Sequence, residues 1–112
     1  MGKLEDAEAS YRKVINIKPN DAVAHYNLGV VLATLERLGE AEASFREAIR
    51  LNPKDADTYF NLGVISDRLG RHEAAEEYFR EAIKINPNHA GAHANLSSTL
   101  LKSFMRLRLQ YP

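Results

Sequence analysis

Asn27-Leu28-Gly29, Asn61-Leu62-Gly63 and Asn95-Leu96-Ser97 stand 34 residues apart. That spacing decides the fold, because self-similarity at a fixed period of this length marks helical repeats, each of which buries its apolar face only against its neighbours. The surrounding columns keep the same register: Ala7, Ala41 and Ala75; Tyr11, Phe45 and Phe79; Ile15, Ile49 and Ile83; Pro19, Pro53 and Pro87.

Within one period, Leu28, Val31, Leu32 and Leu35 recur at three-to-four spacing and predict a helix from Ala22 to about Leu35. Ala41, Phe45, Ala48, Ile49 and Leu51 predict a second, from about Leu38 to Leu51. Each proline of the Pro19, Pro53 and Pro87 column pushes its predecessor out of the helical region and so ends a helix pair. Asp21, Asp55 and either Asn88 or His89 then stand where an acceptor side chain caps the next helix. Glycine inside a helix costs about 1 kcal/mol relative to alanine. Its recurrence at Gly29 and Gly63 therefore predicts close approach of the paired helix, with Ala41 and Ala48 opposite. Acids at helix starts and bases at ends, as in Glu5, Asp6 and Glu8 against Arg12, Lys13 and Lys18, suit the backbone dipole.

The expected frame is a half unit with only a second helix (1–20), two complete units (21–54 and 55–88), and a half unit with only a first helix (89–102). Residues 103–112 match nothing in the period and are expected to form an off-pattern tail or a cap.

Hydrophobic content of 45% and charged content of 27% suit a soluble globular chain. The 15 basic and 15 acidic residues cancel, leaving no global field of the kind that draws a protein to nucleic acid or an anionic membrane. The cancellation is uneven: every acid lies at or before Glu81, whereas Lys84, Lys102, Arg106 and Arg108 follow it. Without cysteine there is neither a disulfide nor a thiolate metal site. No apolar run approaches the roughly 20 residues that span a bilayer, and the opening residues lack a signal-peptide core. A cytoplasmic location is the expectation.

Catalytic patterns are weak. His72-Glu73-Ala74-Ala75-Glu76 places Glu76 where a zinc-protease motif needs its second histidine, and His72 sits in the column of Leu4 and Leu38, a packing position. His89 and His93 share helical spacing but lack a third ligand, and Asn95-Leu96-Ser97 fits a glycosylation acceptor without a secretory signal to give it meaning. No metal, no cofactor and no enzymatic activity are expected.

Leu28, Gly29, Leu32, Ala41, Phe45, Ala48 and Pro53, followed by Leu62, Gly63, Gly70, Ala75, Phe79, Ala82 and Pro87, resemble the tetratricopeptide repeat (TPR) family. His25, Tyr59 and His93 stand at its usual large aromatic near the start of the first helix, Ser66 departs from a usual bulky residue, and Glu36 replaces the usual turn glycine. The resemblance implies an all-α fold, a right-handed α–α superhelix of antiparallel helix pairs with about six helices. It also implies a concave groove lined by first helices, here through Val23, Tyr26, Asn27 and Val30, then Asp57, Phe60, Asn61 and Val64, then Ala94, Asn95 and Ser98. An asparagine ladder of this kind resembles the superhelical arrays of the family, in which carboxamides contact a peptide backbone. A carboxamide offers an acceptor and two donors, enough for a peptide bond whatever its side chain, while Tyr26 and Phe60 supply apolar contact. The competing reading is that the asparagines bond neighbouring helices and space the stack. The clamp by which chaperone-docking members hold a carboxylate-rich tail falls here on Tyr26, Val30, Asn61, Gly91 and Asn95, of which only Asn61 agrees, so its cations are missing.

The expected partner is therefore a protein or peptide, with neither nucleic acid nor membrane. A second expectation is homo-oligomerisation: residues 89–102 of one molecule pair with residues 3–17 of another, through Leu4, Ala7, Tyr11, Val14, Leu96 and Leu100. Head-to-tail contact of this sort gives a ring or a filament unless the tail blocks it. A third is that the chain is a fragment of the targeting array of a larger protein.

Overall fold

The computed structural model describes residues 2–110. Among them are six α-helices and no strand: α1 (Lys3–Ile17), α2 (Ala22–Thr34), α3 (Leu38–Leu51), α4 (Ala56–Arg68), α5 (His72–Ile85) and α6 (Ala90–Gln110). They stack in chain order, α2 packing most closely on α3 and α4 on α5, into a slab measuring 54 × 31 × 19 Å. One core gathers Leu28, Leu32, Ala41, Phe45, Leu62 and Ile65; a second gathers Ala75, Phe79 and Leu96.

The caps follow the sequence. Asp21 Oδ1 accepts from the Ala24 amide at 3.1 Å, and Asp55 Oδ1 from the Asp57 amide at 3.0 Å. For α6 the capping side chain is His89, whose Nδ1 accepts from the Ala92 amide at 3.0 Å; Asn88 instead donates its own amide to Asn86 Oδ1.

The in-helix glycines do mark a close approach, but the partner differs from expectation. An aromatic ring, not an alanine, faces each one: a Cβ on Gly29 would lie 2.8 Å from the Phe45 ring, and one on Gly63 would overlap the Phe79 ring. The glycine and aromatic columns are thus one device, a ring lodged on bare backbone.

Both α2 and α4 end in a reversal that needs one residue in the left-handed region. Arg37 donates its amide to Leu32 O at 2.9 Å and Arg71 to Ser66 O at 2.8 Å, closing the last turn around Glu36 (φ +63°) and Gly70 (φ +80°). Glu36 is held there by an ion pair with Arg68. One period later the position is Phe104. A side chain in that conformation costs roughly 1–2 kcal/mol, and the helix does not turn. Residues 103–110, expected to form an off-pattern tail or a cap, continue α6 as one 21-residue helix. Its extension turns polar groups toward α5, where Arg106 Nη2 donates to Glu73 Oε1 at 2.9 Å, and leaves Leu101, Phe104, Met105 and Leu107 more than half exposed.

Ion pairs tie successive second helices at the same period. Arg37 Nη1 meets Glu8 Oε1 at 2.7 Å, and Arg71 Nη1 meets Glu42 Oε1 at 2.8 Å. Hydrogen bonds from Arg37 and then Arg12 hold the Glu8 carboxyl below the ordinary carboxylate value. Among the described residues the next acid in the column, Glu76, pairs only with Arg80 of its own helix, because the cation's place falls on Met105.

Candidate functional site

The predicted groove residues all lie on α2, α4 and α6, the first helices of their pairs. On α2, Val23 is 67% exposed and Val30 40%, flanking the half-buried Tyr26 and Asn27. On α4, Asp57 is exposed while Phe60, Asn61 and Val64 are half-buried; on α6, Ala94 and Ser98 are exposed and Asn95 is half-buried.

Spacing along each helix puts these positions on neighbouring turns, and the packing of each second helix fixes their rings. Tyr26 meets Phe45 of α3 edge-on, with centroids 5.7 Å apart and planes at 67°. Phe60 lies 6.0 Å from Phe79 of α5 and 4.9 Å from the His89 ring. Such pairs contribute about 0.5–1.5 kcal/mol beyond the area they bury, so the rings are wall as well as surface. Burial raises the Tyr26 phenol above its ordinary value, a shift that the bond from Asn61 partly offsets.

Two hydrogen bonds join the first helices across the face. Asn61 Nδ2 donates to Tyr26 Oη at 3.0 Å, linking α4 to α2. His89 Nε2 lies 2.8 Å from Asp57 Oδ1, linking α6 to α4. Because His89 Nδ1 is already accepting the Ala92 amide, Nε2 carries the proton and donates. The asparagine column is therefore not uniform. Asn61 spends a donor on its neighbour, as the spacer reading requires, whereas Asn27 and Asn95 make no side-chain hydrogen bond among the described residues.

Sequence reasoning missed the Tyr26–Asn61 pairing, although the two positions are one period plus one residue apart. It also missed a trio where α4, α5 and α6 meet. Asp67 Oδ1 meets His72 Nδ1 at 2.7 Å, and Asp67 Oδ2 accepts from Thr99 Oγ1 at 2.7 Å. His72, expected to pack, is half-buried as well as bonded. His93 turns Nε2 to the Pro87 carbonyl at 2.8 Å, away from the partners of His89. Among the described residues no group of three His, Asp or Glu is placed to hold a metal, and no helix is long and apolar enough to cross a membrane.

The residues expected to mediate self-association are unequally open. Leu4, Val14 and Leu100 are 37–39% exposed, Ala7 and Tyr11 are half-buried with Tyr11 packed on the first core, and Leu96 is buried.

The family model described as the cilia and flagella-associated protein 70 middle TPR-like domain matches residues 1–105. No curated protein matches the sequence. Among solved structures, MamA is 28% identical with a TM-score of 0.89, over 94% of this chain and 61% of that one, so the chain spans about three-fifths of it. YrrB, described as a TPR protein with an unusual peptide-binding site, is 30% identical with a TM-score of 0.78, over 83% of this chain and 48% of that one. The first TPR of Spaghetti (RPAP3), bound to the HSP90 peptide SRMEEVD, is 23% identical with a TM-score of 0.87, over 90% of this chain and 80% of that one, a likeness of fold alone. The six helices thus form a TPR solenoid, a right-handed superhelix of antiparallel pairs.

Proposed function

Because the chain belongs to the cilia and flagella-associated protein 70 middle TPR-like domain family, we propose that it is a non-enzymatic interaction module holding an extended peptide or partner helix along the α2, α4 and α6 face. The observation that carries this is the pairing of open apolar side chains, Val23 and Val30, with an unbonded carboxamide, Asn27, on the same turns of α2. An extended peptide satisfies both at once: its backbone pairs with the amide and its alternate side chains cover the valines. The peptide-binding description of YrrB supports the reading.

The three asparagines then divide in role. Asn27 and Asn95 contact the ligand, and Asn61 fastens α4 to Tyr26. Binding to a peptide array tests this. Asn27→Ala and Asn95→Ala are each expected to weaken the strongest peptides about tenfold, the worth of about 1.4 kcal/mol, with unchanged melting. Binding by Asn27→Ala equal to that of the parent chain overturns the assignment.

One observation favours head-to-tail self-association as a second reading. Glu76 lacks the cation that Glu8 and Glu42 receive from Arg37 and Arg71, and Lys3 occupies the matching column on α1. A second copy's α1 on α6 brings Lys3 to Glu76. Opposing it, Ser97 puts a Cβ where Gly29 and Gly63 leave room for a ring, and Tyr11 is the ring that arrives. Light scattering across a concentration series decides: a monomeric mass at high micromolar concentration removes self-association and leaves the groove untouched.

A further inference from the structure

A cleft of about 420 Å³ opens between α1, α2 and α3, its walls formed chiefly by Arg12, Ile15, His25, Leu28, Ser44 and Glu47. It lies off the face treated above, and the period of the chain says why it exists. One unit later the same columns hold Arg46, Ile49, Tyr59, Leu62, Tyr78 and Glu81. There the Tyr59 and Tyr78 rings lie against each other, centroids 6.4 Å apart and planes tilted by 42°, both half-buried. The first unit has histidine for Tyr59 and serine for Tyr78. One ring is smaller and the other is gone, while the helices keep their spacing because Gly29 and Phe45 set it as Gly63 and Phe79 do.

We propose that this cleft receives a tyrosine side chain of a partner protein, which takes the place that Tyr78 fills one unit on. The floor is apolar, made of the buried Leu28 and the half-buried Ile15. Ser44 lines the cleft with a small side chain where the next unit has the Tyr78 ring. The His25 ring is the pre-built stacking wall. Its Nε2 lies 2.9 Å from the Pro19 carbonyl, which only accepts, so that nitrogen is protonated and the ring is pinned.

Tyrosine fits the rim better than phenylalanine. Glu47 stands on the rim of the cleft, and both bonds from Arg50 go to its Oε1, so among the described residues Oε2 is left as a carboxylate acceptor. A phenol hydroxyl donates to it; a phenyl edge does not. Offset or tilted stacking on His25 supplies the remainder, as between the paired tyrosines.

The test uses the whole chain with N-acetyl-tyrosine methylamide as probe and the phenylalanine and leucine counterparts as controls, followed by amide chemical shifts. Expected are shifts centred on His25, Ser44 and Glu47, with the tyrosine probe at least threefold tighter than the phenylalanine one and the leucine one without effect. Ser44→Tyr should fill the cleft from within, raise the melting temperature and abolish the shifts. Asn27→Ala, on the other face, should leave them unchanged. The proposal is overturned by absence of localised shifts at millimolar probe, by equal affinity for phenylalanine, or by a folded Ser44→Tyr chain that still binds. Concentration-dependent shifts of the same residues without probe, lost in Ser44→Tyr, would instead seat a second copy of this chain and overturn the assignment to a foreign partner.

Discussion

The α2–α3 pair and the α4–α5 pair have the same backbone plan and different interiors. In the first, Leu32 is buried in the core; in the second, the equivalent Ser66 is just as inaccessible and its hydroxyl has no hydrogen-bond partner among the described residues. In the first, His25 and Ser44 leave a cleft; in the second, two tyrosines close it. The first reverses direction through Glu36 and the second through Gly70. What both share is a ring seated on a glycine, a left-handed reversal, a capping aspartate, a proline two residues past the second helix, and the Leu28/Leu62, Ala41/Ala75, Ala48/Ala82 and Ile49/Ile83 columns. That set holds the frame, and the remaining columns are free to make each unit chemically distinct. A solenoid tolerates this because each unit answers only to its neighbours.

The contrast can be attacked at its common element first. Phe45→Ala and Phe79→Ala are each expected to cost about 3–5 kcal/mol, the usual range for emptying a buried aromatic site, as measured by urea denaturation. If one costs under about 1 kcal/mol, below the range for such sites, the two pairs do not share a ring-on-glycine frame. Next, Gly29→Ala and Gly63→Ala force a methyl into those rings and should each cost about 1–3 kcal/mol, as overpacking does, with Gly63→Ala the worse because its ring lies closer.

The differences between the pairs predict effects of opposite sign. Ser66→Ala removes a buried, unsatisfied hydroxyl and should stabilise by about 1 kcal/mol, whereas Leu32→Ala should destabilise by about 2–5 kcal/mol. A loss of stability in Ser66→Ala would mean that the hydroxyl has a partner in solution. Gly70→Ala, at φ +80°, should cost about 1 kcal/mol, the price of a Cβ in that region.

The smallest effect is acid sensitivity at the α1–α3 contact. Glu8 and Glu40 both titrate below their ordinary value of 4.5, chiefly through hydrogen bonds from Arg37. Since the folded chain binds these protons less readily than the unfolded one, the stabilisation is present above that pH and lost as pH falls through the lowered folded values. Arg37 and Glu40 are exposed and Glu8 half-buried, so the pairs are screened and the shift in melting between pH 7 and pH 3 attributable to them should shrink in about 1 M salt. Glu8→Gln with an unchanged acid profile would count against the ladder.

The 34-residue columns carried the helices, their ends and the cap positions, because each depends on local chemistry that a single side chain announces. The continuation of α6 was less legible: it depends on what Phe104 cannot do, and a missing turn leaves a weaker mark than a present one. The period assigned the columns proposed as a groove to the first helices, but the division between Asn61 and its fellows could not be read from it. That division is set by a tyrosine on another helix, reached only when α2 and α4 lie side by side. The cleft beside His25 was written plainly in the Tyr59–His25 and Tyr78–Ser44 substitutions, and became meaningful only once both rings were seen to touch.

The Asp67 carboxylate, held by His72 of α5 and by Thr99 of α6, makes three helices share one acceptor. Detaching the first half of α6 breaks the Thr99–Asp67 bond and uncovers Ala92, Leu96 and Thr99, so this half should release its amide protons in step with α5. Beyond Thr99 the tether to the stack thins to the exposed Arg106–Glu73 pair. A single uninterrupted rod is then expected to show two lifetimes of deuterium uptake, with the break near its midpoint rather than at either tip.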